Sequence, residues 1–174
     1  SGGTAPDAAA PRAALAGLPG DDATDALVRV GGTDGARRGS AGVHDLAGGR
    51  AADPEARFRA GSLTKVVTAA TVLRLAAEGR VGPSTPVQHY LPGLLGGKFG
   101  PVTVRQLPNH ASGTHFPGAV HWAKSGARYG WANGIAATRD LRRTLVHSVG
   151  ATDAEGDATN AVTRRIVLAA LDRP

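Results

Sequence analysis

The chain contains no cysteine and no methionine. Without thiols it has no disulfide framework, no thiolate nucleophile and no cysteine-ligated zinc site. Aromatic residues are few, with two Trp, two Tyr and three Phe. The core must therefore come from small aliphatic side chains, chiefly Ala and Val, packed on regular elements. No apolar run approaches the roughly 20 residues of a membrane-spanning helix. There is no internal repeat, and the frequent Gly and Pro punctuate periodic segments instead of forming a low-complexity tract. Lysine is also scarce: Lys65, Lys98 and Lys124 are the only three, so arginine supplies nearly all the positive charge.

What is present fits a single domain of modest core, since the chain has 174 residues. Residues 1–7 read as a flexible lead-in, Ser1-Gly2-Gly3-Thr4 as a tag or processing scar, and residues 8–174 as one domain. The formal net charge is +6. A nucleic-acid surface would need that charge clustered. Here the arginines are scattered, with only Arg37-Arg38, Arg142-Arg143 and Arg164-Arg165 as pairs and no aromatic residues interleaved. A solvated basic surface is the expectation, with no nucleic-acid partner. His110, His115 and His121 match no zinc spacing, so no metal and no cofactor is expected. Trp122 and Trp131 read as sheet packing more readily than as a substrate stack.

Periodicity predicts a helix over 8–18, with Pro11 in its first turn and Pro19-Gly20 ending it. Residues 26–30 read as a strand, 31–35 as a hairpin turn and 37–46 as the returning strand. Leu63, Val66, Ala70, Leu73 and Ala77 form one apolar stripe on a helix over 62–78, and Gly79 follows where a left-handed cap belongs. Pro83, Pro86 and Pro92 break the next stretch into short pieces, and 102–107 could open a short helix. Three strands follow, over 119–127, 131–138 and 141–149. A last helix over 157–171 buries Val162, Ile166 and Ala169/Ala170 and keeps Arg164-Arg165 off that face. The order predicts an α/β (α+β) sandwich: a five-stranded antiparallel sheet, terminal helices on one face and the helix that starts at Ser62 on the other.

Two of the three lysines sit in chemically suggestive places. Ser62-Leu63-Thr64-Lys65 opens a predicted helix, and three-residue spacing puts Ser62 and Lys65 on one face. A serine hydroxyl needs a base to become nucleophilic, and a lysine serves only where its surroundings favour the neutral amine. A helix start also offers backbone N–H groups to developing negative charge. Lys124-Ser125-Gly126 falls on a predicted strand, with Lys124 and Gly126 on one face and Ser125 on the other. A cation and a hydroxyl beside a side-chain gap suit an anionic carboxylate. Taken alone, Ser-x-x-Lys fits an ordinary helix opening better than a catalytic one, and Lys-Ser-Gly, as weak a signal alone, also fits a strand with a solvated Lys and a bulge Gly.

Their order and surroundings add more. Phe58-Arg59-Ala60-Gly61-Ser62-Leu63-Thr64-Lys65 closely resembles the nucleophile segment of the serine β-lactamase and D-alanyl-D-alanine carboxypeptidase superfamily, nearest its carboxypeptidase and class C branch. The resemblance continues through Leu75 to Val81, Pro86-Val87, Tyr90-Leu91-Pro92, Val102 to Gly113 and the strands from His121 to Ala154. It departs at Pro108 and Ala111, where the family usually has Leu and Thr in Leu-Leu-Asn-His-Thr-Ser-Gly. The long helical region that precedes the Lys-Ser-Gly strand in the family is replaced by 114–123. That region carries the family's Tyr-x-Asn motif, and no Tyr-x-Asn occurs in this sequence. Tyr90, Tyr129, Asn109 and Asn133 all lie in other contexts.

The resemblance implies a truncated β-lactamase-like core with an internal deletion near 114–120, by deliberate minimisation or natural degeneration. It implies Ser62 as nucleophile, Lys65 as general base, and the backbone N–H groups of Ser62 and Ala127 as the oxyanion hole. Lys124 and Ser125 would orient a substrate carboxylate, and Gly126 would permit close approach. The implied substrates are β-lactams, D-alanyl-D-alanine peptides and simple esters, turned over weakly and outside the cytoplasm, although this chain has no signal peptide. The alternative is a catalytically inactive scaffold of the same fold. Self-association through edges exposed by the deletion is a further expectation.

Overall fold

The computed structural model describes residues 9–95, 100–106, 121–152 and 159–171. It divides into two compact units, residues 1–63 with 113–174, and residues 64–112.

The first unit is built on an antiparallel sheet. Its strands are β1 (Ala23–Gly31), β2 (Arg37–Asp45), β3 (Arg50–Ala51), β4 (His121–Arg128), β5 (Trp131–Thr138) and β6 (Thr144–Ala151), in the order β3-β2-β1-β6-β5-β4. The described sheet thus has six strands where five were expected. The extra one is the two-residue β3, whose Arg50 and Ala51 pair with Asp45 and Val43 where the sequence suggested only a connection. So short a strand leaves no periodic signal.

Alternation along β1 and β6 sorts residues onto two faces. Ala26, Val28 and Val30 pair with Val149, His147 and Leu145 and point to one side. Helices α1 (Ala9–Ala14) and α4 (Thr159–Leu171) cover that side. From α4, Val162, Ile166, Ala170 and Leu171 enter the core, while Arg164 and Arg165 are exposed. The four-residue steps between Val162, Ile166 and Ala170 make the stripe the sequence predicted. Full burial of each Val or Ile contributes about 1.5–3 kcal/mol, which favours docking of a helix too short to be stable alone in water. Helix α1 is shorter than the predicted 8–18, and buries Ala14 and the following Leu15.

The opposite face carries Asp25, Leu27, Ser148, Asn133 and Gly126. Across it runs the chain that delivers residue 62. Near β2 this strap is pinned by Ala52 N–H to Gly42 O at 2.9 Å, Ser40 Oγ to Ala52 O at 2.9 Å and Asp53 N–H to His44 Nε2 at 2.9 Å. Because Nε2 accepts, the His44 proton sits on Nδ1, which donates to the buried Asp25 carboxylate. The far end of the strap reaches β4. From β2 to β4 is four strand spacings, roughly 19 Å, within the reach of about ten extended residues.

The second unit begins with α2 (Thr64–Ala77). It ends in the predicted left-handed glycine: Gly79 has φ +72°, with Arg80 N–H to Leu75 O at 2.9 Å and Gly79 N–H to Ala76 O at 3.0 Å. These two bonds form a Schellman motif. The apolar stripe differs from expectation, since Ala70, Leu73 and Ala77 are exposed and Val66, Ala69, Val72 and Ala76 are half-buried. The helix is apolar on more than one side, so spacing alone does not select the covered one. Beyond it, Pro86 bridges to Thr103, α3 (Val87–Tyr90) forms a single turn, and Val87 and Val104 are buried. A 3₁₀ turn at Val104–Gln106 replaces the short helix predicted over 102–107. The expected deletion near 114–120 lies outside the described residues.

Candidate active site

Ser62 lies in a 3₁₀ turn, Gly61–Leu63, that leads directly into α2. The turn is seated against β4 by two glycines. A Cβ at Gly126 would fall 2.7 Å from Ala60 O and 3.0 Å from the backbone nitrogens of Ser62 and Leu63. A Cβ at Gly61 would fall 2.9 Å from Ala127 O and 3.3 Å from Ala127 N, and Gly61 has φ +55°. Backbone meets backbone here, which only residues without side chains permit. Leu63 is buried and anchors the end of the turn.

The edge it meets has a definite polarity. Arg128 and Trp131 flank the two-residue turn Tyr129-Gly130 and form its hydrogen-bonded pair. One position back, Ala127 opposite Ala132 is a non-hydrogen-bonded site, so its N–H and C=O point away from β5. The same alternation turns the Ser125 C=O outward, and the Lys124 ammonium donates to it at 2.7 Å. Lys124 is half-buried, on the Gly126 side of the strand; Ser125 is exposed and alternates to the other side. The outward backbone of Ala127, the Ser62 turn and the Lys124 ammonium thus share the outer edge of β4.

The structure brings together Ser62, Gly126 and Ala127, with Lys124 and Ser125 on the same strand. Lys65 lies on the first turn of α2, in the second unit, and is exposed. His110, His115 and Asn109 lie outside the described residues. His121 and Trp122 are on β4, with side chains outside the description, and Trp131 is half-buried on β5. Tyr90 holds a local turn: its hydroxyl accepts from Gly82 N–H at 2.7 Å, and that bond lowers its pKa. Tyr129 is 88% exposed in the β4–β5 turn. Among the described residues no cluster of three His, Asp or Glu could hold a metal ion, and no helix is long and apolar enough to cross a membrane.

Sequence reasoning missed Asn133. It is 2% exposed on β5 opposite Gly126, and its Nδ2 donates to Arg59 O at 2.5 Å. The sequence offered only that Asn is disfavoured in strands; its place opposite Gly126 and its partner Arg59 come from the strand register and the strap.

An esterase, EstB of Burkholderia gladioli, is 34% identical over 114 residues, which are 60% of this chain and 27% of EstB. The chain therefore spans about a quarter of that curated relative's length. A solved D-stereospecific amidohydrolase from Streptomyces sp. superposes with a TM-score of 0.69 at 14% identity, covering 95% of this chain and 99% of that one. This agreement shows the β-lactamase-like fold. The sequence profile of the beta-lactamase family matches residues 24–127, more than half of the chain and the stretch that runs from β1 through the Ser62 turn to Ala127. The chain belongs to the beta-lactamase family of serine hydrolases.

Proposed function

We propose that the chain is a serine acyl-transfer hydrolase that acts best on small activated esters and more slowly on β-lactams and D-alanyl-D-alanine peptides. The observation that carries this reading is the seating of the Ser62 turn on the outward-facing backbone of Gly126-Ala127. In this reading Lys65, three residues on, takes the proton from Ser62 Oγ. The oxygen then attacks the acyl carbon, a C–O bond forms and the carbonyl π pair moves onto oxygen. The backbone N–H groups of Ser62 and Ala127 receive that oxyanion. Collapse breaks the bond to the leaving group: an amine takes the proton that Lys65 accepted, whereas an activated phenolate leaves without one and Lys65 returns its proton to solvent. Water then attacks the ester carbonyl and gives a proton back to Ser62 Oγ as the carboxylic acid is released. The Lys124 ammonium, held at the edge by the Ser125 backbone carbonyl, orients a substrate carboxylate; the Ser125 hydroxyl, expected to share that role, alternates to the other side of the strand. EstB is named an esterase and the structural neighbour an amidohydrolase, and both names describe acyl transfer.

Initial rates on p-nitrophenyl acetate test the reading. Wild type should hydrolyse the ester, whereas Ser62→Ala and Lys65→Ala should fall to the background rate. Equal rates in wild type and Ser62→Ala would remove Ser62 from the chemistry. One observation favours the inactive-scaffold reading for full turnover: no Tyr-x-Asn is present anywhere in the chain. An ester rate in wild type no greater than that of buffer would select it.

A further inference from the structure

The strap that carries Ser62 crosses the sheet with pins at both ends. Near β2 the pins are ordinary for a loop. Near β4 the pin is an amide buried in the sheet, with Asn133 Nδ2 on Arg59 O, three residues before Ser62. Its other atom, Oδ1, is buried with no hydrogen-bond partner among the described residues, and the same holds for Oγ of Ser148, its neighbour on β6. Packing alone does not call for an amide here, because an aliphatic side chain would fill the space without leaving a polar atom unmet. The feature that does require it is the carbonyl of Arg59. Asn133 also pairs with Gly126, the residue whose missing side chain lets the Ser62 turn approach. One residue pair of the sheet therefore sets both the height of the turn, through Gly126, and its lateral position, through Asn133.

We propose that Asn133 is a positioning residue for acyl transfer at Ser62. By fixing the Arg59 carbonyl to β5, it holds the Ser62 N–H in place beside the Ala127 N–H, so that the two meet one oxyanion. The inference rests on the function proposed above. It differs from a purely structural role in its kinetic consequence: a misplaced oxyanion donor costs rate more than it costs substrate binding, and displacements of about 1 Å can cost about 10²-fold.

The test pairs Asn133→Leu, which keeps the branched four-atom side-chain skeleton but has no donor, with the smaller Asn133→Ala. Folded variants should lose about 10²-fold in kcat on p-nitrophenyl acetate, with KM little changed. Affinity for phenylboronic acid, which forms a tetrahedral adduct on the serine, should weaken in parallel, while affinity for the product carboxylate should hold. Wild-type protein supplies a measurement independent of variant folding: the Asn133 side-chain amide resonance should shift when the boronate adduct forms. A normal kcat in either folded variant, or an unmoved amide resonance in wild-type protein carrying the adduct, would overturn the role of Asn133 and leave the hydrolase reading standing. A wild type that neither hydrolyses ester nor binds boronate would overturn the hydrolase reading, and this inference with it.

Discussion

One methyl group at Gly126 is enough to test the seating of Ser62. A Cβ there would lie 2.7 Å from Ala60 O, and the opposing atoms are backbone, which cannot rotate aside. Gly126→Ala should cost about 1–3 kcal/mol in chemical denaturation and lower Ser62 acylation about 10²-fold; stability and acylation both at wild-type level would show that the turn does not need this approach. A second residue-scale consequence comes from His147. It is 4% exposed on β6, its ring lies where a Cβ on Gly134 would stand, and Nδ1 has no partner among the described residues. Burial pulls its pKa down from 6.5 to about 4. The unfolded chain then binds more protons than the folded one between those values, so stability falls as pH drops from about 6.5 to about 4 and the loss levels off below. The whole effect is on the order of 3 kcal/mol. Urea titrations of wild type and His147→Leu should diverge in slope across that window and run parallel above pH 7. The placement of Ser62 at the start of a helix, and of Lys124 and Gly126 on one face of a strand, was legible in the sequence because spacing and turn residues mark both elements. Asn133 and the Asp25–His44 pair were not, because each depends on a partner that only strand register brings near.

Helix α4 shows how an element becomes legible. Its buried residues recur every four positions and its arginines fall off that face, so the sequence predicts both the helix and its docking side. Ile166, 2% exposed at the centre of that stripe, should cost about 2–5 kcal/mol when replaced by Ala, read as a lower midpoint in denaturant. A loss below 0.5 kcal/mol would mean that α4 contributes little to the core. The hairpin β1–β2 and the strands β4 to β6 were legible for the same reason, since alternation and turn residues bound them. Helix α2 was legible in extent and in its Gly79 cap. Its covered side was not, because Val66, Val67, Val72 and Leu73 spread apolar character around the helix. β3 escaped because two residues carry no period.

For the molecule as a whole, the proposed chemistry turns on which of the family's motifs the chain carries. The chain spans 27% of EstB, and it lacks the Tyr-x-Asn that the family resemblance associates with proton transfer and amide binding. Losing a positioned proton-transfer group commonly costs about 10² to 10⁴ in rate. Activated esters, whose leaving groups need no proton, should therefore be turned over far faster than D-alanyl-D-alanine peptides. Comparable kcat/KM values on the two would show that other residues replace the motif. The central claim, that Ser62 is an acylatable nucleophile, is tested most directly by the intact mass of the protein after incubation with benzylpenicillin. Ring opening on Ser62 adds the whole β-lactam, so the account predicts one added benzylpenicillin mass, located on the peptide that contains Ser62 and absent from Ser62→Ala. An unchanged wild-type mass, or the same adduct on Ser62→Ala, would contradict it.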